Sequence, residues 1–407
     1  MNILVTNAWH DDNRGDLALV HSTIALLKVQ YPNANITVTS MIPEGHKYWE
    51  TAHQSITQKY PDITLVASPL PMEFSGIKLP QITRLIAAYL SIFAPFFSKF
   101  SGFNRYVKRA DMIVSVGGHY LFSYNNNLKS LFRLLKLTQP FTLASYYKKP
   151  VILFSQSMGP YQGKLAYRVV KNVFSYAKCI VRESLSHELI KSLVPEANVE
   201  VKPDSAFYLS ESECSDVSPV SSKNYAVFTL REPMKGDVEK VRSHFLKEMK
   251  ATAEKLLTSG IVDEIYAFPH VTGPTVLEDD RKITQDFAEL CDNKSVVLLN
   301  KPLNLSDTLA LYRDAKFTIG TRFHSVVFSI SQQTPAVAIA YYGPKAQGIM
   351  KYIGMEELCF DISAVTSQQL TPAVTKCLAL SEQGEITIQK DKLTAELKNV
   401  IFCNEYD

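Results

Sequence analysis

The segment Gly320-Thr321-Arg322-Phe323-His324-Ser325 holds the residue types best suited to chemistry. It directly follows the apolar run Phe317–Gly320 and opens a short apolar stretch, Ser325–Ser331, which reads as a buried helix. A guanidinium presents a planar fork of donors that fits a carboxylate or phosphate. A histidine two residues on titrates near neutrality and can serve as general acid or base. Amides at a helix N-terminus attract anions. An anion held here would meet Arg322, His324 and the backbone at Ser325 together, so the chemistry to expect is proton transfer beside a bound anion.

Other segments share this grammar, with polar residues placed directly after an apolar run. Asn13-Arg14-Gly15-Asp16 follows the first such run. Gly15 allows close approach of the backbone, and Asp16 either caps the next helix or accepts a hydrogen bond from a substrate hydroxyl. Gly117 and Gly118 either admit a ligand to the backbone or make a tight turn. Arg182 and Arg231 each end an apolar run and are followed by an acid. Each can fork onto an anion or pair with a carboxylate. Lys345 adds a positive charge to the pocket of Arg322 or lies on the surface. Asp279-Asp280-Arg281 forms a further polar cluster after Pro269-His270. Two adjacent acids at a helix start point in different directions, so no metal pair is expected there. No other motif suggests a metal, and no bound cofactor is expected.

These loops need elements to carry them. Ile3–Thr6 reads as a strand, about Asp16–Tyr31 as a helix with Leu17, Val20, Ile24, Leu27 and Tyr31 on one face, and Ile36–Ser40 as a second strand. That is the βαβ unit of a parallel sheet. Further strands are expected at Asp111–Val116, Val151–Gln156 and Cys179–Arg182. The Ser-rich, acidic stretch 208–224 reads as a linker. The pattern restarts with strands at Tyr225–Leu230, Glu264–Phe268, Ser295–Leu299, Phe317–Gly320 and Ala336–Tyr341. Helices are expected at Val238–Leu257, Asp279–Cys291 and Ser306–Asp314. The expected fold class is α/β, two doubly wound Rossmann-like domains facing a cleft, the GT-B-like arrangement. The boundaries are an N-terminal domain over 1–207, the linker 208–224, a C-terminal domain over 225–385 and a C-terminal helix or tail over 386–407. Ligands in such sheets bind beyond the carboxyl ends of the strands, where these loops lie.

The 407 residues are too many for one ordinary core. A net charge of +3 gives no nucleic-acid footprint. The six cysteines are scattered without a CxxC pair, as expected for reduced thiols in the cytoplasm. The opening Met1-Asn2-Ile3-Leu4-Val5 runs straight into a strand, so no signal peptide is expected.

The most apolar run is 85–97, flanked by Lys78, Arg84, Lys99, Arg105, Lys108 and Arg109. It is shorter than the roughly 20 residues that span a bilayer. Three placements stay open: a helix buried on the sheet, an oligomer contact, or a peripheral contact with anionic lipid at the inner face of the cytoplasmic membrane. The oligomeric state is not legible.

Taken in order, Asn13-x-Gly15-Asp16, Gly117-Gly118, Ser155-Gln156-Ser157-Met158-Gly159-Pro160, Arg182-Glu183-Ser184, Pro203-Asp204-Ser205-Ala206-Phe207, Asp279-Asp280-Arg281 and Gly320-Thr321-Arg322-Phe323-His324-Ser325, with Lys345 and Gly348 following, resemble the polysaccharide pyruvyl transferase family. The match runs from residue 1 to about 350. It departs at Phe323, where a smaller aliphatic residue is the commoner choice. The resemblance implies a GT-B-like fold and transfer of the pyruvyl group of phosphoenolpyruvate to two hydroxyls of a sugar, giving a cyclic ketal and phosphate. Phosphoenolpyruvate is then a co-substrate bound by the C-terminal domain, and the N-terminal domain takes the acceptor, a sugar of a cell-surface or exopolysaccharide precursor on a lipid or a nucleotide. Arg322 and His324 would bind phosphoenolpyruvate and assist catalysis, with Arg182, Arg231 and Lys345 as further cationic candidates. Two rival functions fit the same architecture: a nucleotide-sugar glycosyltransferase, and a non-catalytic sugar-binding or assembly protein.

Overall fold

The computed structural model describes residues 1–70, 79–209, 213–222, 224–234, 236–341 and 345–402, with backbone alone for 79–81 and 345. The chain folds as two compact units. The first comprises Met1–Asp11, Leu19–Ser205 and the chain from Lys398 onward, and the second comprises Asp12–Ala18 and Ala206–Leu397.

The first unit is built on seven parallel strands: β1 (Asn2–Ala8), β2 (Asn35–Ser40), β3 (Thr64–Ala67), β4 (Met112–Ser115), β5 (Val151–Gln156), β6 (Lys178–Val181) and β7 (Val199–Val201). Their order in the sheet is β3-β2-β1-β4-β5-β6-β7. The central strands read as continuous apolar runs because helices cover both faces of such a sheet, and β4 and β5 are buried along their whole length. The helix Leu128–Tyr146 packs Leu134, Leu137, Phe141 and Leu143 into this core. The C-terminal segment completes it: Phe402 meets the Phe154 ring at 4.8 Å, and the Ile401 carbonyl accepts from Lys178 at 3.0 Å.

The second unit repeats the plan with six parallel strands: β8 (Tyr225–Thr229), β9 (Glu264–Ala267), β10 (Val296–Leu298), β11 (Phe317–Gly320), β12 (Ala336–Ala340) and β13 (Cys359–Asp361). Their order is β10-β9-β8-β11-β12-β13. In both sheets the winding reverses between the first and fourth strands of the unit, β1 beside β4 and β8 beside β11. That reversal opens a crevice at the carboxyl ends of the two strands, where doubly wound sheets bind ligands.

The expected α/β class holds for both units. Strands β3, β7 and β13 were not expected from sequence. They are only three or four residues long, lie at sheet edges and have few buried side chains, so they lack an apolar run. The division of the chain differs from the expected boundaries in three places. Residues 12–18 belong to the second unit, and so does most of the helix Glu385–Lys398. The described part of the expected linker is fastened to the second unit, with the Ser215 amide donating to Ser306 O at 3.2 Å and Arg313 to Ser215 O at 3.0 Å. Serine-rich composition signalled a loop there, but its polar groups found fixed partners.

Candidate functional site

In the second unit the chain leaves β8 and β11 side by side, with Gly320 in register with Thr229. Arg231 follows β8 and Arg322 follows β11, so both stand at the winding reversal. Thr321 ties the two strand ends together by donating its amide to Thr229 O at 3.0 Å. The helix Phe323–Ser331 then starts with Arg322 as its N-cap. Ser325 turns inward: its hydroxyl meets Thr229 Oγ1 at 2.8 Å and donates to Arg322 O at 2.6 Å. The Ser325 hydroxyl thus locks the loop that presents Arg322.

Arg322 is buried and clamped by Asp280. Its Nε lies 2.9 Å from Asp280 Oδ2 and its Nη2 lies 2.8 Å from Oδ1, with a further bond of 2.5 Å to Glu278 O. Burial opposes the guanidinium charge, but the Asp280 carboxylate outweighs it and holds the Arg322 pKa above its ordinary value. Burial likewise pushes the Asp280 carboxyl up, with Arg322 pulling it back. Asp280 stands at the N-cap of the helix Arg281–Cys291, yet its side chain serves Arg322 and the Val271 amide (3.0 Å) instead of that helix. Its neighbour Asp279 turns to Arg281.

Arg231 donates to Tyr341 Oη at 2.9 Å and lies over that ring, 4.2 Å from its centroid. Burial lowers its pKa, and the charge of Arg322 lowers it further while Asp280 and Glu278 oppose. The two arginines thus feel each other across one carboxylate.

A third arginine arrives from the start of the chain. Arg14 donates to the carbonyls of Pro269 (3.2 Å), His270 (2.8 Å) and Leu303 (3.3 Å), and its guanidinium lies 5.0 Å from the Phe268 ring centroid. Burial lowers its pKa, against the pull of Tyr312, Asp12 and Asp280. Asn13 bridges to Val271, and the Thr272 amide donates to Asp12 O at 3.0 Å, so residues 12–14 are pinned along 269–272. Asn13 also caps the helix Arg14–Gln30 by accepting from the Asp16 amide at 3.3 Å. Capping therefore falls to Asn13, and Asp16 sits in the first turn, where an acid complements the helix dipole.

Gly15 explains the position of His324. A Cβ on Gly15 would lie 2.6 Å from His324 Cγ and 2.9 Å from Cε1, so the imidazole rests directly on the glycine backbone. Any other residue at 15 would push the ring away. His270 completes the group, buried with Nδ1 2.9 Å from Tyr312 Oη. Burial, with the charges of Arg14, His324 and Arg322, holds its pKa well below the ordinary histidine value. Arg322 paired with Asp280, Arg231 and Arg14 within electrostatic reach of that carboxylate, and His270 within reach of Arg14, Arg322 and His324 thus form one group, an arrangement suited to an anionic ligand.

The remaining expected residues lie in the first unit or outside the described residues. Arg182 follows β6 and is consumed by its neighbours, donating to Ser157 Oγ at 2.8 Å and to Asp204 Oδ2 at 2.5 Å. Gly117 and Gly118 extend β4 along β5: a Cβ on Gly117 would lie 2.6 Å from Ser155 O, and Gly118 has φ 119°. Close packing of two strand ends requires these glycines. Lys345 heads the helix Lys345–Tyr352, but its side chain lies outside the described residues, as does Lys78.

Sequence reasoning passed over Arg14, His270 and Asp280 as site members. One local signal pointed to Arg14: a cation at the first position of a helix opposes the dipole and needs a compensating contact. His270 and Asp280 gain their roles from partners 42 residues away, Tyr312 and Arg322.

Comparison with known proteins places this site in a family context. The sequence profile described as "Polysaccharide pyruvyl transferase" matches residues 13–343, which includes every member of the cluster. The chain is similar to the amylovoran biosynthesis protein AmsJ of Erwinia amylovora, 24% identical over 408 residues, covering 95% of this chain and 94% of that protein. Among solved structures, it is similar to a Listeria monocytogenes protein assigned as a UDP-N-acetylglucosamine 2-epimerase, with TM-score 0.58, 11% identity and coverage of 97% and 91% of the two chains. It is also similar to the apo form of UGT2 from Phytolacca americana, with TM-score 0.52, 11% identity and coverage of 98% and 95%. At such identity these two likenesses speak to the fold alone.

Proposed function

The chain belongs to the polysaccharide pyruvyl transferase family, and from that premise we propose that it moves the pyruvyl group of phosphoenolpyruvate onto two hydroxyls of one sugar in a cell-surface or exopolysaccharide precursor. The observation that supports this reading most is the set of three buried arginines in the second unit, with Arg322 on Asp280 and Arg14 and Arg231 bonded to neutral groups. Phosphoenolpyruvate brings a carboxylate and a phosphate, and planar guanidinium forks suit both groups.

The reaction balances as follows. One sugar hydroxyl adds to C2 of the enol while a proton goes to C3, which becomes the methyl group. The C2–O bond to phosphate then breaks, the second hydroxyl adds to C2, and its proton leaves with the phosphate. Arg322 and Arg231 stabilise the phosphate as it departs. His324, held in place by Gly15, exchanges the proton between the phosphate oxygen or C3 and the attacking hydroxyl. Asp16, in the same segment as Gly15, is the proposed acceptor-side base.

Thermal unfolding of the purified protein with phosphoenolpyruvate, UDP, GDP and inorganic phosphate tests the donor, because a ligand that binds only the folded state raises its melting temperature. A rise with phosphoenolpyruvate that shrinks in Arg231→Ala is expected. A rise with a nucleoside diphosphate alone would overturn the reading in favour of a nucleotide-sugar glycosyltransferase.

A further inference from the structure

In the first unit, the helix Leu79–Phe93, the turn Pro95–Phe97 and the short helices Ser98–Ser101 and Asn104–Arg109 follow one another without a strand between them. One side of the long helix is seated. Ala87, Ala88 and Ser91 are buried, and the Ser91 hydroxyl accepts from Gln139 Nε2 on the helix Leu128–Tyr146 at 3.0 Å. Small residues bring the two helices close together.

The other side is apolar and bare. Ile82, Ile86, Leu90 and Phe93 recur at helical spacing and are exposed by 40%, 54%, 44% and 71%. Phe96, Phe97 and Phe100 continue the same surface at 53%, 36% and 58%. Soluble proteins do not usually leave so many large apolar side chains together in water, and such a patch marks a docking surface.

Charge selects the partner. From residue 79 to residue 110 the chain carries Arg84, Lys99, Arg105, Lys108 and Arg109 and not one Asp or Glu, and all five cations are exposed. Lys99 lies over the Phe96 ring at 3.5 Å and the Phe100 ring at 4.8 Å, so its charge sits at the border of the apolar face. A second copy of this face would bring like charge against like, Lys99 included, because a two-fold contact pairs the same patch with itself and the segment carries no acid to offset it. The surface complements one that is apolar inside and anionic outside. Among the described residues no helix is long and apolar enough to cross a membrane, so the helix can only lie along one.

We propose that this face docks the protein peripherally on an anionic lipid bilayer, with Ile86, Leu90, Phe93 and Phe96 at the headgroup boundary and the basic residues among the headgroups. Docking is independent of the proposed reaction, since vesicle binding is read without substrate.

Co-sedimentation of the full chain with vesicles of phosphatidylcholine alone, or with added phosphatidylglycerol, tests it. Binding to the phosphatidylglycerol vesicles that weakens with salt is expected. Arg105→Gln with Lys108→Gln should weaken it roughly 25-fold, two factors of about five. Phe93→Ser with Phe96→Ser should abolish it while leaving the melting temperature unchanged, because both side chains are exposed. Failure to bind either vesicle, or equal binding to both, would overturn the proposal. So would a dimer by analytical ultracentrifugation that Phe93→Ser with Phe96→Ser dissolves, which would assign the face to a second copy.

Discussion

Two strand-end arginines, Arg182 of the first unit and Arg322 of the second unit, share the same local pattern in sequence. Each follows a parallel strand, opens a helix and pairs with a buried aspartate, Asp204 or Asp280. Their surroundings differ. Arg182 follows β6, two strands from the winding reversal of its sheet, and Ser157 and Asp204 take up its donors. Arg322 follows β11 at the reversal itself, and Arg231, which follows the neighbouring strand β8, lies within electrostatic reach of the same aspartate and of Arg322. A one-to-one ion pair is closed and holds structure. In the second cluster Arg322 pairs with a carboxylate while Arg14 and Arg231 bond neutral groups, which suits a ligand that brings anionic groups, and the position of a strand in the sheet decides which of the two a strand-end arginine joins.

The comparison can be sharpened or broken by substitution, and the largest effect belongs to His324. His324→Ala should cut the proposed reaction by about 10²–10⁴ with the fold intact, read as loss of the ketal methyl signal in polysaccharide from cells carrying only the variant. Normal ketal content would remove His324 from the chemistry. Next come the two ion pairs, where removing one partner strands a buried charge at about 3–5 kcal/mol. Arg182→Leu with Asp204→Leu should regain most of the stability lost in Arg182→Leu alone and keep the melting-temperature response to phosphoenolpyruvate. Arg322→Leu with Asp280→Leu should regain stability and lose that response. Equal responses in the two double variants would erase the distinction between the sites. The smallest effect is at Gly15, where Gly15→Ala crowds the His324 ring at a cost of about 1–3 kcal/mol. Turnover should fall while phosphoenolpyruvate still raises the melting temperature, because Arg231 and Arg322 are undisturbed.

Much of this was legible in the sequence, and the exceptions share a cause. The central strands announce themselves as apolar runs, and the loops after them carry Arg231, Arg322 and His324. The edge strands β3, β7 and β13 are too short and too exposed to show a pattern. Gly15 reads as room for a ligand, whereas the space is filled by a histidine more than 300 residues along the chain, at position 324. Arg14 and Asp280 read as helix-start residues because their partners are set by the sheet and not by the local chain. Gly117 and Gly118 signal close approach correctly, but the approaching group is the neighbouring strand. The apolar run 85–97 left three placements open, and its pattern of exposure narrows them to a face that points outward.

The division of the chain has a consequence for the order of events during synthesis. Residues 12–18 are made long before the unit they belong with, whose sheet begins at residue 225, while Val400 and Phe402 are made after that unit and are buried in the one that began first. The first core stays unfinished until the second unit has been translated, and the second draws on a piece made before it. A nascent chain paused near Ser205 therefore lacks Val400 and Phe402 from its interior, and a gene cut at that point encodes two fragments that each lack a piece of their own interior.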